Sequence, residues 1–343
     1  MAQFDMPLTQ LYEYQPDVAC PADFVDFWVS SAQEARAAAN FEVELKREHT
    51  GLNAVTADDV TLPGYNGDPI KAWLIKPALP PDRSEGFPVI VQMIAYGGGR
   101  GLPHEHLKWA NAGFAHLVVD ARGQGSHWGA GGQTPDPHGR SASVGGWLTS
   151  GIERPDDHYY RRYYIDGVRA VDAVRQIPGL DGTRVALEGT SQAGGGVIAA
   201  GAILSMLGGP VQAIMPNVPF LSNFRRAVQI IDSRPYGEIT QLLSVRRDPE
   251  FEQIVWNTLS YIDAVNFARY ETSPTLFSVG LMDVTCPPST VFAAYNAWGE
   301  NHPERKPAKE IDVYPYNDHE GGQEYRFPAE LAFARDQLNI ARD

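Results

Sequence analysis

The 343-residue sequence has few cysteines and a shortage of positive charge. Its two cysteines, Cys20 and Cys286, are too few for a disulfide framework or a multi-cysteine zinc site, so we expect two reduced thiols. Lysine and arginine together number 28 against 42 aspartates and glutamates, and the formal net charge is −14. Nucleic acids and anionic membranes are bound by basic surfaces, so this balance argues against both as partners.

Long apolar runs are also missing. No window holds the roughly 18 uninterrupted apolar residues of a membrane-spanning helix, so we predict none. The first twenty residues include Asp5, Glu13 and Asp17 without an apolar stretch, and they therefore indicate no secretory signal. From these features we expect a cytoplasmic protein.

The chain does contain an alternation of apolar strand and helix patterns. Runs such as 88–96 and 115–120 are typical of buried strands, and a helical period follows at 159–177. This order predicts an α/β fold with a mainly parallel central sheet and helices on both faces. Two strand candidates flank Asn66-Gly67, a favoured turn, and predict an antiparallel N-terminal hairpin edge. Further strand candidates are 184–189, 211–219, 275–283 and 309–316.

Two segments stand apart from this alternation. An N-terminal extension, about 1–50, carries a helical pattern at 22–39. Residues 125–157 are rich in glycine, proline and serine and have no period. A loop of that length within a compact domain is usually functional or interfacial. We see no internal repeat or biased linker, so we predict a single domain over 1–343.

The stretch EGTSQAGGG, residues 188–196, places Ser191 between a strand and an apolar helix. That context is the one in which a strained turn presents a nucleophilic serine. Such a turn needs small residues two positions either side, which are Gly189 and Ala193 here. The alternative is a serine that merely caps a glycine-rich helix. The strand before it and the helix after it favour the nucleophile.

A nucleophilic serine needs a base and an acid, which should follow it in that fold in the order serine, acid, histidine. Of the nine histidines, only His302 and His319 lie well beyond Ser191. His302 occupies a polar turn, whereas His319 follows the last strand candidate, so we predict His319 as the base. The strand 275–283 delivers Asp283, which we predict as the acid. Of the other carboxylates, Asp318 is too close in sequence to His319, and Asp263 and Asp312 are expected to be surface charges.

The remaining parts of the site are backbone amides and pocket walls. We predict that the amides of Tyr96 and Gln192 form an oxyanion hole, because one follows a strand end and the other follows the nucleophile. Substrate contacts are expected from Tyr96, Pro219, Phe220 and Pro287. The GGGRG run at 97–101 lacks the context of a phosphate loop, and the HEH run at 104–106 lacks helical metal spacing, so no cofactor or metal is predicted.

Three motifs together resemble one family, the acetyl xylan esterases and cephalosporin C deacetylases of carbohydrate esterase family seven, in the α/β-hydrolase superfamily. They are Arg122-Gly123-Gln124, the turn 189–194 and His319-Glu320. The strings PFLSNFRRAVQ, VGLMDVTCPPSTVFAAYN and YPYNDHEGG also look like the family, and the resemblance extends from the N-terminal helix to the last helix. The chain departs from the family pattern at Ala193 and Ala95, where glycine is expected.

The resemblance implies an α/β-hydrolase fold and a serine carboxylesterase. The same triad of Ser191, Asp283 and His319 would act on small acetylated substrates, namely xylo-oligosaccharides and cephalosporin C-like esters, through an acetyl-enzyme. It also implies that Arg122, Gln124 and Glu320 brace the site, and that 125–157 takes part in a homohexamer. Two other classes remain open, a prolyl-oligopeptidase-like or other hydrolase of small esters or amides, and a non-catalytic binding module.

Overall fold

The structure is a computed structural model that describes residues 2–38, 42–79, 86–139 and 144–340. Within these ranges nine strands form one sheet. The strands are β1 Glu44–Glu48, β2 Val55–Pro63, β3 Pro69–Pro77, β4 Phe87–Gln92, β5 Ala115–Val119, β6 Leu180–Thr190, β7 Ala213–Asn217, β8 Thr275–Gly280 and β9 Lys309–Tyr314.

The sheet is antiparallel at one edge and parallel elsewhere, in the order β1-β2-β3-β5-β4-β6-β7-β8-β9. Across the sheet, the pairs β1–β2, β2–β3 and β3–β5 are antiparallel. All the pairs from β5–β4 to β8–β9 are parallel. The β2–β3 turn contains Asn66 and Gly67, whose φ angles of 53° and 77° suit a tight hairpin. The predicted α/β fold with a mainly parallel sheet and an antiparallel hairpin edge is confirmed.

Helices cover both faces of the sheet. Along β4, Val89 and Val91 belong to one apolar cluster and Ile90 to another, so alternate side chains enter two separate cores. Burial on both sides explains why the parallel strands are almost continuously apolar. The helices are α1 Leu8–Glu13, α2 Phe24–Ala37, α3 Lys108–Asn111, α4 Tyr159–Val174, α5 Gln192–Met206, α6 Phe224–Ile230, α7 Gly237–Val245, α8 Pro249–Ile262, α9 Ala264–Ala268, α10 Pro288–Ala297 and α11 Phe327–Gln337.

Two strands are shorter than the apolar runs that predict them. β4 ends at Gln92, and the buried Met93 and Ile94 continue into the loop that leads to the candidate site. β8 ends at Gly280, so Asp283 lies in the following loop rather than at the strand end. Burial continues past the last strand hydrogen bond in both cases, and a count of apolar residues therefore overshoots.

The expectation that Asp263 is a surface charge is wrong. Its side chain is 3% exposed and caps α9 by accepting a hydrogen bond from the amide of Val265 at 3.0 Å. It also accepts the amides of Asn223 and Phe224, at 2.9 Å and 3.2 Å. Burial raises the pKa of Asp263 to about 6, and these three amides oppose that rise. Asp312, also expected to be a surface charge, has 35% of its side chain exposed and pairs with Arg326 at 2.7 Å.

The predicted N-terminal extension contains α1 and α2, while Met1 and residues 39–41 lie outside the described residues. The 125–157 segment joins β5 to α4, and its residues 140–143 also lie outside them. Across the described ranges, we find no helix with the length and apolarity needed to cross a membrane.

Candidate active site

The turn at Ser191 joins β6 to α5 in a strained conformation. Ser191 has φ 59° and ψ −120°, a combination that residues with a side chain rarely adopt. Its amide donates to the carbonyl of Asn217 at 2.9 Å, and its own carbonyl accepts the amide of Phe220 at 2.9 Å. The chain after β7 thus holds the turn from both sides, which leaves Ser191 at the carboxyl edge of the parallel strands.

Close backbone packing explains the small residues around this turn. A β-carbon on Gly189 would lie 2.4 Å from the carbonyl oxygen of Ala193. A β-carbon on Gly195 would lie 2.3 Å from the carbonyl oxygen of Phe220. Ala193 itself is fully buried, and its β-carbon lies 2.8 Å from where a β-carbon of Gly189 would be.

Asp283 and His319 form a hydrogen-bonded pair beside this turn. Oδ2 of Asp283 lies 2.8 Å from Nδ1 of His319, and since the carboxylate accepts, this nitrogen donates. Oδ1 of Asp283 accepts the amides of Thr285 and Cys286, both at 2.8 Å. Asp283 is fully buried, whereas the His319 side chain is 29% exposed. The carboxylate is therefore fixed in place, and Nε2 of His319 is left to exchange a proton.

Cys286 lies beside this pair. Its sulfur is within 4.8 Å of ligand atoms of both Asp283 and His319. In the described ranges these three side chains are the one candidate metal-ligand group. Burial, reinforced by the Asp283 charge, raises the pKa of the Cys286 thiol well above its ordinary value, which keeps it protonated. In the described part of the chain, Ser191 Oγ and His319 share no hydrogen bond, as is common before substrate binds.

The two predicted oxyanion donors have unengaged amides. Among the described residues, the amide of Tyr96 has no acceptor in the protein, and Gln192, as the first residue of α5, has no acceptor in its helix. The Gln192 side chain is committed elsewhere, because its Nε2 donates to the carbonyl of Ile94 at 3.1 Å. Its Oε1 accepts from Tyr160 at 2.8 Å and from Gln124 at 2.9 Å. Side-chain contacts thus tie the two donor segments together.

Gln124 and Arg122 occupy the bracing positions that the resemblance implies. Gln124 Oε1 accepts the amide of Gly97 at 2.6 Å, next to the Tyr96 loop. Arg122 is fully buried, and its guanidinium makes two bonds to Asp166, at 2.5 and 2.7 Å. Glu320 is exposed and bonds Asn317 at 2.8 Å, so its contacts stay within its own turn.

Of the predicted pocket residues, Phe220 and Pro219 pack against the Ser191 turn and the start of α5. Phe220 is fully buried, and its ring centroid lies 6.2 Å from that of Tyr96. Pro219 packs against the first turn of α5, since its Cα is 2.9 Å from where a β-carbon of Gly194 would lie. Pro287 is buried at the N-terminus of α10. Sequence reasoning missed Tyr160, whose distance along the chain from the other residues leaves no motif to detect.

Comparison with known proteins shows strong likeness over nearly the whole chain. The family model described as acetyl xylan esterase (AXE1) matches residues 1–337. An acetyl xylan esterase from Paenibacillus sp. R4 is 36% identical with a TM-score of 0.85, covering 96% of this chain and 99% of that one. Acetyl xylan esterase 1 from Thermoanaerobacterium sp. JW/SL YS485 is 30% identical with a TM-score of 0.83, covering 99% and 100%.

A curated relative is longer than this chain. The acetyl esterase Axe7A of Xylanibacter ruminicola is 27% identical over 318 residues, which make up 89% of this chain and 65% of that protein. The chain thus spans about two thirds of the length of this relative. Several peptidases, at 15–17% identity and TM-scores of 0.56–0.57, share the fold alone.

Proposed function

Because the chain belongs to the acetyl xylan esterase family, we propose that it is a serine esterase that removes acetyl groups from acetylated xylo-oligosaccharides and cephalosporin C-like small esters. The observation that carries this proposal is the hydrogen bond of 2.8 Å between the buried Asp283 and the partly exposed His319, beside the strained turn of Ser191. Asp283 fixes the imidazole with Nδ1 donating, so that Nε2 faces the reaction as a base.

The proposed reaction has two halves. His319 Nε2 takes the proton of Ser191 as Oγ bonds to the acetyl carbonyl carbon, and the amides of Tyr96 and Gln192 stabilise the resulting oxyanion. The protonated imidazole then donates to the departing alcohol oxygen, the carbon–oxygen bond to that alcohol breaks, and an acetyl-enzyme remains. Water repeats these steps with His319 as base, releasing acetate and restoring Ser191.

The assignment of the nucleophile is tested by Ser191→Ala. We expect the turnover of p-nitrophenyl acetate to fall by about 10⁴-fold or more, because no side chain then forms the acyl intermediate. A fluorophosphonate probe should label the wild-type protein at Ser191 and leave the variant unlabelled. Unchanged turnover in Ser191→Ala would remove the serine mechanism. A parallel panel of acetylated sugars, cephalosporin C and dipeptide amides decides between an esterase and a peptidase.

We also propose a cytoplasmic homohexamer, following the family resemblance. Two free cysteines support a reducing compartment: Cys20 is exposed, Cys286 is buried, and neither is in a disulfide. The 125–157 segment offers a surface for assembly. Sedimentation or light scattering measures the mass directly, and a monomer at working concentration would overturn the hexamer proposal while leaving the esterase chemistry intact.

A further inference from the structure

Tyr96 is anchored both through its backbone carbonyl and through its phenol. Its carbonyl accepts a hydrogen bond from Nε1 of Trp128 at 2.7 Å, and its phenol donates to Oε1 of Glu238 at 2.5 Å. The amide between these two anchors is the predicted oxyanion donor. Glu238 is 142 residues away along the chain, in the first turn of α7, and the proposed reaction assigns it no task.

Glu238 is buried at the junction of three segments. It is 6% exposed, and its Oε1 accepts the amide of Gly146 at 3.0 Å as well as the phenol of Tyr96. The phenol oxygen of Tyr96 in turn accepts hydrogen bonds from the amides of Gly146 and Trp147, at 3.0 and 3.2 Å. Within the described ranges, Oε2 of Glu238 is buried without a hydrogen-bond partner. A carboxylate is costly to bury, so the hydrogen bonds that Oε1 accepts from Tyr96 and Gly146 are needed to hold it there.

We propose that Glu238 is a positioning residue for the oxyanion hole, which acts by holding the phenol of Tyr96 and thereby fixing the Tyr96 amide. This inference rests on the proposed esterase function and deepens it. In the bond between Tyr96 and Glu238 the phenol is the donor, because burial and the Glu238 charge raise the pKa of the Tyr96 phenol well above its ordinary value. The phenol stays protonated and always donates.

The physical need for such an anchor lies in the Tyr96 loop. The loop follows β4 without regular secondary structure, and Gly97 has a φ of 81°. An oxyanion donor works only when its N–H lies about 3 Å from the developing charge, so small displacements are costly. The Tyr96 ring packs edge-on against Trp147 at 4.8 Å, but ring contacts alone tolerate sliding. The short bond to Glu238 removes that freedom.

The competing explanation is that Glu238 only anchors α7 to the 146–147 segment. A purely structural anchor would change stability and leave the chemical step of correctly folded molecules alone. A positioning role changes kcat, because the oxyanion exists in the transition state and not in the bound ester. The split between kcat and KM therefore separates the two explanations.

The experiment compares Glu238→Ala, Glu238→Gln, Tyr96→Phe and the double variant Glu238→Ala/Tyr96→Phe in the full chain with p-nitrophenyl acetate. We expect Glu238→Ala and Tyr96→Phe each to lower kcat by about 10- to 100-fold with KM within about 3-fold, less than the loss of a whole oxyanion donor. Glu238→Gln keeps an acceptor for the phenol, so its kcat should stay within about 3-fold of wild type. The double variant should be no slower than either single variant, because both remove the same bond.

Glu271→Gln provides the matched control. Glu271 is also fully buried, but it bonds Ser205 near the far end of α5. Burial raises its pKa well above its ordinary value, so glutamine, which has the same size, replaces a carboxyl whose charged form is disfavoured. It should leave kcat at the wild-type level. Fluorophosphonate labelling at saturation counts the folded sites in every sample. Tyr96→Phe removes a single oxygen and keeps the experiment decisive if Glu238→Ala does not fold.

Three results would overturn the inference. They are losses that multiply in the double variant, a rise in KM with kcat unchanged, and a lower melting temperature with normal kcat. The proposed function fails separately: a wild-type protein that neither hydrolyses acetyl esters nor reacts with the fluorophosphonate removes the premise. An active wild-type protein with a normal Glu238→Ala kcat removes only this inference.

Discussion

Small side chains on either side of Ser191 decide whether the nucleophile turn can form. We predict that Gly189→Ala lowers kcat/KM by about 100-fold, because its new β-carbon lies 2.4 Å from a backbone oxygen and must displace the turn. Ala193→Gly removes only a buried methyl group, so activity should stay within about 3-fold while the helix start loses about 0.5–1 kcal/mol of stability. Ester turnover and urea unfolding measure both effects. Failure of Ala193→Gly to form an acetyl-enzyme would show that the methyl group does more than fill space.

The proposed esterase reaction should also depend on the carboxylate of Asp283. Asp283→Asn keeps the shape of the side chain but can present an N–H to His319, which favours the wrong imidazole tautomer, and we expect kcat to fall by about 10⁴-fold. Asp318→Asn is the matched control, since this neighbouring carboxylate bonds the amide of Val284 at 3.1 Å and not the imidazole. Its kcat should stay within about 3-fold of wild type because asparagine keeps an acceptor. Equal losses in the two variants would contradict the assignment of Asp283.

At the scale of elements, local pattern predicts the fold well where burial is periodic. The hairpin at Asn66-Gly67 and the β6–Ser191–α5 unit follow directly from turn chemistry and apolar runs. β1 escapes such prediction because all five of its residues, Glu44–Glu48, are exposed. Helices α6 and α9 are seven and five residues long, too short to show a period. The start of α8 does have a local signal, since Asp248 caps the helix and Pro249 is its first residue.

The residues of the candidate site are also predictable from the sequence only in part. Ser191 and the order of acid and histidine can be predicted because apolar runs locate β6, β8 and β9, although the run at 275–283 overshoots the end of β8 at Gly280. The burial of Asp263 escapes prediction because its cap contacts come partly from Asn223 and Phe224, which are distant in sequence. The bond between Tyr96 and Glu238 is equally invisible, since it depends on how α7 packs and not on a motif. Sequence thus predicts candidates for the reacting groups, and the tertiary structure shows the contacts that hold these side chains in place.

The N-cap of helix α4 is His158, and protonation of its ring would remove the hydrogen bond that caps the helix. His158 Nδ1 accepts the amide of Tyr160 at 3.2 Å, and Nε2 lies 3.0 Å from the carbonyl of Leu148, so the ring is neutral with Nε2 donating. Burial lowers the pKa of His158 to about 4, against about 6.5 for an unfolded chain. Between these two pKa values the unfolded chain binds a proton at His158 that the folded chain does not. The contribution of neutral His158 to the free energy of unfolding is therefore fully present above about pH 6.5 and is lost as the pH falls.

We therefore predict that His158→Gln flattens the pH dependence of folding. Between about pH 7 and pH 5 the wild type should lose about 2 kcal/mol more than the variant, on top of losses common to both. Urea unfolding at the two pH values measures the difference. The exposed His49 supplies the control, and His49→Gln should follow the wild-type curve. Parallel curves for wild type and His158→Gln would show that this cap does not govern acid sensitivity.

At the scale of the whole molecule, one buried cation joins segments that are far apart in the chain. Arg122, in the loop after β5, contacts Asp68 of the hairpin at 3.0 Å and Asp136 of the 125–157 segment at 3.2 Å. It also pairs with Asp166 of α4, and its carbonyl accepts the phenol of Tyr159 at 2.7 Å. In a protein of net charge −14, this arrangement neutralises acidic groups where solvent cannot.

Removal of this cation should destabilise the fold as a unit. Arg122→Met strands a fully buried Asp166, whose pKa burial already raises, and we expect a loss on the order of 3–5 kcal/mol in the free energy of unfolding. Arg122→Met/Asp166→Asn should recover part of that loss, because the remaining amide oxygen can still accept the amide of Tyr65, the buried charge of Asp166 is gone, and Asp136 keeps its pair with Arg162. Arg154→Met breaks only exposed ion pairs and should change stability by less than about 0.5 kcal/mol. If urea unfolding shows no recovery in the double variant, the cost of losing Arg122 lies in packing between the segments, and not in the buried charge.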